Sequence, residues 1–185
     1  MPRVMVPYGD MEIVVTPETT HILLEHIHDS RRIFTDGRTW PTEYVDPTFQ
    51  GYSIGKWLDT TGSGRFDTLE VETRNFKGPR AFDATGLPMH PNNQTVIKER
   101  IHWDKAKPDE LTDEITTIDD ALTHPWTVMK HYERSKVAQP EWFEEVCEEG
   151  NQHVEIAGQN YFLSGDGKLM PAVKDQSPPD VSYFK

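Results

Sequence analysis

The run Thr95-Val96-Ile97-Lys98-Glu99-Arg100-Ile101-His102-Trp103 decides the fold, because it alternates with a period of two and two more such runs follow it. Successive side chains of a strand point to opposite faces. Ile97, Glu99, Ile101 and Trp103 therefore share one face, and Val96, Lys98, Arg100 and His102 the other. The next runs cover residues 111 to 118 and 126 to 134. The connections between them, residues 105 to 110 with Pro108-Asp109 and residues 119 to 125 ending at Pro125, are short and rich in turn formers. Three strands joined in this way predict an antiparallel meander.

Outward from the meander, the same period predicts strands at 11 to 16, 21 to 28, 31 to 36 and 67 to 73. There is no internal repeat, and the connections are too short for crossover helices, which argues against a parallel α/β sheet. The expected fold is mainly β: an antiparallel, lipocalin-like β-barrel with long loops and at most one or two short helices, in a single domain over residues 1–185. Only 35% of the residues are hydrophobic, but five Trp, six Tyr and eight Phe supply large apolar area, which suits a shell of strands around a core or cavity.

Two segments rich in Gly and Pro, residues 39 to 65 and 75 to 93, read as ordered loops of the kind that cover an opening. Residues 140 to 149 predict a short helix, opened by Pro140-Glu141 and closed by Gly150. The tail from residue 164 to 185 reads as extended and anchored by Leu169, Met170, Tyr183 and Phe184.

Nineteen basic against thirty-one acidic residues give a formal charge of −12, which repels phosphate backbones and anionic lipid, so neither nucleic acid nor a membrane surface is an expected partner. The start Met-Pro-Arg-Val-Met lacks the basic and apolar regions of a secretory signal. The expectation is a cytoplasmic protein as the chain stands, or a periplasmic or secreted one if a leader was removed. A single cysteine, Cys147, excludes an intrachain disulfide and a cysteine metal cage. The sequence leaves room for a homodimer.

Chemistry concentrates between Glu25 and Pro41, where ionisable groups fall on a strand pattern. His26 and His28 share a face with Ile22 and Leu24, so that whichever face is buried carries ionisable groups. Asp36-Gly37-Arg38 reads either as a tight turn of purely structural role or as a functional pair in which Asp36 orients a histidine and Arg38 holds an anionic or carbonyl oxygen. Glu99 points with isoleucines into the apolar face, where it is either a tuned general acid or base or a structural partner of an arginine such as Arg31 or Arg38. His26, His28 and His90 can form a three-histidine metal site, but no His-Glu-x-x-His signature accompanies them and no metal is expected. Gly51 to Gly55 lacks the lysine and helix of a phosphate loop, and there is no Gly-x-Ser-x-Gly elbow. No cofactor motif is present.

The motifs Arg32-Ile33-Phe34-Thr35-Asp36-Gly37-Arg38-Thr39-Trp40-Pro41, Gly51-Tyr52-Ser53-Ile54-Gly55-Lys56-Trp57, Pro88-Met89-His90, Glu99-Arg100 and Asp166-Gly167-Lys168-Leu169-Met170-Pro171 resemble a widespread bacterial family of proteins without an assigned activity, many of them exported. The resemblance spans nearly the whole chain. It implies that His28, Asp36, Arg38, Tyr52, Trp57, His90 and Glu99 fall on family positions, while His26 does not. This chain departs from the family pattern by the extra residues Thr60 to Gly64 after Trp57, an insertion able to reshape a pocket.

The function expected from these readings is a cofactor-independent lyase or isomerase acting on a small hydrophobic, aromatic or terpenoid molecule in a barrel cavity. His28, Asp36, Arg38, His90 and Glu99 are the expected catalytic residues, and Trp40, Tyr52, Trp57 and Trp103 the expected substrate-binding ones. A lipocalin-like binding protein for the same class of molecule and a histidine-ligated metal enzyme are the alternatives.

Overall fold

A computed structural model describes residues 5–7, 9–25, 30–78, 81–83, 85–103, 106–142 and 153–182. The chain divides into two compact units, Met1–Phe143 and Glu144–Lys185, where the sequence reading expected one domain.

Eight strands of the first unit form one sheet in chain order: β1 (Met11–Val15), β2 (Thr19–Leu24), β3 (Ser30–Phe34), β4 (Tyr52–Leu58), β5 (Thr68–Arg74), β6 (Val96–Trp103), β7 (Glu110–Ile118) and β8 (Trp126–Glu133). The sheet curls into a barrel-like half-shell, so the mainly β expectation holds. The meander of β6, β7 and β8 is antiparallel, with Glu99 opposite Ile115 and Asp113 opposite Lys130.

The alternation carries the core. Ile22 and Leu24 of β2, Ile33 of β3, Leu69 and Val71 of β5, Ile97 and Ile101 of β6 and Ile115 of β7 are buried together on the inner face. Met5, ahead of β1, joins this core fully buried. Its carbonyl oxygen accepts from Lys130 Nζ at 3.1 Å and from the Tyr132 hydroxyl at 3.0 Å, which ties the segment before one edge strand to the inner face of the other.

Two sequence readings are corrected. Residues 39 to 65 are not one loop, because β4 runs through them. Its inward positions are Ser53 and Gly55 and its outward ones Tyr52 and Ile54, so small and polar residues face in and apolar ones out, the reverse of the usual strand signal. The sheet is also not wholly antiparallel: β3 and β4 pair in parallel, Ile33 opposite Ser53. The segment between β3 and β4 is long enough to return the chain to the same end without a helix.

The second unit is a three-stranded antiparallel sheet of β9 (His153–Ile156), β10 (Gln159–Leu163) and β11 (Leu169–Pro171). Ala157 and Gly158, with φ of 51° and 75°, make the two-residue turn between β9 and β10, and both positive angles match the strand twist. Tyr161 is buried, and its hydroxyl donates to Ser177 O at 3.2 Å, which holds the tail at that point; of the anchors expected from the sequence, Met170 is exposed and Tyr183 and Phe184 lie outside the described residues. The helix expected at 140 to 149 falls largely on residues outside those described. No α-helix occurs among the described residues.

Candidate functional site

One end of the curled sheet opens into a cavity of about 670 Å³. It is built from the ends of strands: Val15 closes β1, Thr20 opens β2, Trp57 ends β4, Leu69 lies in β5, and Trp103 ends β6. Alternation puts the odd residues of β1, β4, β5, β6 and β7 and the even ones of β2 on the inner face, so each strand sends a side chain into the opening. The Trp57 indole nitrogen donates to Thr20 Oγ1 at 3.0 Å, which fixes that wall. Trp103, half exposed, donates to Pro108 O at 3.1 Å and stands at the rim.

Phe66 and Asp67 line the same cavity from the connection between β4 and β5, which contains Thr60 to Gly64. Asp59 organises that loop by accepting from Ser63 N at 3.0 Å and Gly64 N at 2.7 Å. Asp67 Oδ1 accepts from Thr60 N at 3.2 Å and Thr60 Oγ1 at 2.8 Å. The inserted residues therefore help position two cavity-lining side chains.

Beneath the cavity the interior is polar but closed. Arg31 is 1% exposed, and its guanidinium takes both oxygens of Glu99, Oε1 at 2.8 Å and Oε2 in a shorter contact. Two further donors reach Ser53 Oγ at 3.2 Å and Thr73 Oγ1 at 2.7 Å. The pair is thus satisfied by hydrogen bonds from four strands, the condition under which a buried ion pair is tolerated. Asp113 lies nearby, fully buried, and neither carboxyl oxygen has a hydrogen-bond partner among the described residues. Burial first, and then the negative charge of Glu99, push its pKa up to about 8. Asp113 is therefore protonated at neutral pH. Lys130, opposite it in register, points its ammonium to Met5 O instead.

The residues singled out in the sequence fall into separate places. Trp57 and Trp103 line the cavity, whereas Asp36, Arg38, Trp40, Tyr52, His90 and Glu99 do not. Asp36 and Arg38 pair with each other through a turn in which Gly37 has φ of 80°. The Arg38 side chain holds the Asp36 carboxyl down to about 2. That pair is joined to the outer face of the sheet, since Arg38 stacks on Phe34 at 3.8 Å and Tyr52 packs against Phe34 and Trp40. Phe34 and Tyr52 are on the opposite alternation from Ile33 and Ser53, so this cluster faces away from the interior. His90 is exposed on its loop. Its amide donates to Asp119 Oδ1 at 2.7 Å, and its Nδ1 accepts from Asn92 N at 3.2 Å. Asp119 in turn accepts from Thr95 Oγ1 at 2.6 Å, so this contact ties the loop to β6. His26 and His28 lie outside the described residues, and with them the three-histidine arrangement.

Sequence reasoning missed Asp113 and Asp67. Asp113 carries the same signal as Glu99, an acid among apolar residues on one strand face, here with Leu111 and Ile115. Asp67 directly precedes β5, and only the closure of the loop turns it toward the cavity.

Fold and site together define a mainly β, barrel-like protein with an apolar cavity at one end of its sheet. Comparison with protein-family models, with curated proteins and with solved structures gave no match.

Proposed function

We propose that this protein binds a small hydrophobic molecule in the cavity at the open end of the sheet. The observation that carries this reading is the cavity itself: about 670 Å³, walled by Trp57, Phe66, Trp103 and aliphatic side chains, with a few polar groups among them. Ligand sites are typically of this size and composition. The fixed Trp57 indole offers a preformed flat wall, which lowers the ordering cost of binding an aromatic or terpenoid skeleton. The closed network of Arg31, Glu99, Ser53 and Thr73 supports the interior beneath that wall, and both Glu99 oxygens are already engaged there.

A titration of tryptophan fluorescence with an uncharged probe such as N-phenyl-1-naphthylamine tests this reading. Saturable quenching that Trp57→Ala weakens supports it, and the absence of saturable binding rules it out.

An acid–base lyase or isomerase is the second reading, favoured by one observation: Asp67 and His102 are titratable groups in the same lining. Mass spectrometry of the protein incubated with bound aromatic and terpenoid compounds separates the two. Product formation lost in Asp67→Asn or His102→Ala supports catalysis, and recovery of unchanged ligand supports binding alone.

A further inference from the structure

We propose that the rim of this cavity docks on a zwitterionic lipid surface and takes its ligand from there, an inference that rests on the binding reading above. Val15, Phe66 and Trp103 all line the cavity, yet they are 57%, 70% and 50% exposed. Large apolar side chains scattered singly over a surface need no explanation. These three come from distant parts of the chain, the end of β1, the connection between β4 and β5 and the end of β6, and they converge on one opening. Pro17, exposed in the turn after β1, lines it as well. Exposed apolar surface gathered in this way marks a place of contact with a protein or a membrane.

Three features favour lipid over a second protein. A stable protein–protein interface takes about 20–30 residues a side, far more than this rim offers, whereas attachment to a lipid interface strengthens with each apolar side chain that enters it. Trp103 has the character of an interfacial anchor, since its indole nitrogen is already engaged by Pro108 O at 3.1 Å while half of the side chain stays exposed. A protein seated on the rim would stopper the cavity, but a lipid surface leaves it open to a hydrophobic molecule that itself partitions into lipid. Charge then selects the kind of lipid. The chain's formal charge of −12 opposes an anionic surface, and this repulsion does not extend to a zwitterionic one.

Tryptophan fluorescence of the full chain, titrated with vesicles of phosphatidylcholine brominated on its acyl chains, tests the proposal against the same lipid without bromine. The wild-type protein is expected to show saturable quenching that only the brominated lipid produces, and phosphatidylglycerol mixed into the vesicles is expected to weaken it at low salt. Trp103→Phe keeps the rim apolar and is expected to remove about half or more of the quenching. Phe66→Ser is expected to lower the partition coefficient about fivefold or more, with thermal melts confirming that both variants are folded. Wild-type protein that ignores phosphatidylcholine vesicles but still binds N-phenyl-1-naphthylamine overturns the inference and leaves the cavity reading standing. Vesicle association without saturable binding of that probe overturns the cavity reading, and with it the role of the rim as an entrance. Association that requires phosphatidylglycerol, or that survives in folded Phe66→Ser, overturns the docking on this rim. A dimer seen by size-exclusion chromatography and lost in Phe66→Ser assigns the rim to a second copy and overturns it as well. The wild-type response to the two lipids decides the question even where a variant does not fold.

Discussion

The guanidinium of Arg31 on β3 and the carboxylate of Glu99 on β6, 68 residues apart in sequence, form a two-pronged ion pair in the interior of the sheet, with Ser53 and Thr73 taking two further donors. Removing one member leaves the other buried, charged and unpaired. Glu99→Ala is expected to destabilise the protein by about 3–5 kcal/mol. Replacing both members together with apolar residues of similar volume is expected to cost much less. Urea denaturation of the two variants checks the difference. Equal losses would mean that the pair is not energetically coupled.

Asp113 makes stability depend on pH. The folded state keeps its proton up to about pH 8, whereas the free carboxyl loses it near 3.8, so unfolding releases a proton between these values. This contribution is complete below about pH 4, falls by up to about 1.4 kcal/mol per pH unit as pH rises, and is gone above about pH 8. Asp113→Asn mimics the protonated form. Its melting temperature is expected to be near wild type at pH 4 and increasingly above it toward pH 8, and a constant offset across this range would remove Asp113 as the cause.

Trp57 and Trp40 separate the cavity from the outer aromatic cluster. Trp57→Ala removes a cavity wall and the partner of Thr20, and is expected to weaken binding of a hydrophobic probe by about tenfold or more. Trp40→Ala, which touches Tyr52 and Arg74 on the outer face, is expected to leave that affinity unchanged. Displacement titrations of both variants with one fluorescent probe decide which cluster carries the ligand.

Gly55 is required by close packing. A Cβ there would lie 2.7 Å from Ile33 Cγ2, 3.1 Å from Glu70 O and 3.2 Å from Leu69 Cδ1. Gly55→Ala is expected to cost about 1–3 kcal/mol, although alanine loses less chain entropy on folding. A urea midpoint at or above that of wild type would show that β3 and β4 can move apart freely.

Much of the fold was legible in the sequence because a two-residue period survives wherever one face is apolar. The seven strands read from it correspond to β1, β2, β3, β5, β6, β7 and β8. β4 was not legible, since Ser53 and Gly55 occupy its inner face: one bonds Arg31 and Thr73, and the other leaves room for Ile33. At the site, the position of Glu99 and Trp103 on the apolar strand face was legible from alternation, whereas Trp57 was legible only as an aromatic on a segment read as a loop over the opening. Asp36 and Arg38 gave an equally strong chemical signal, but they satisfy each other on the outer face.

The sequence by itself determined which residues share a strand face, because backbone geometry makes that a local property. It also determined the chain's acidic charge and the abundance of its aromatic residues. Only the tertiary structure decided which groups meet: that Arg31 takes Glu99, and that Asp113 is buried with no hydrogen-bond partner among the described residues. Such meetings depend on register and loop closure across dozens of residues, and no local period encodes them.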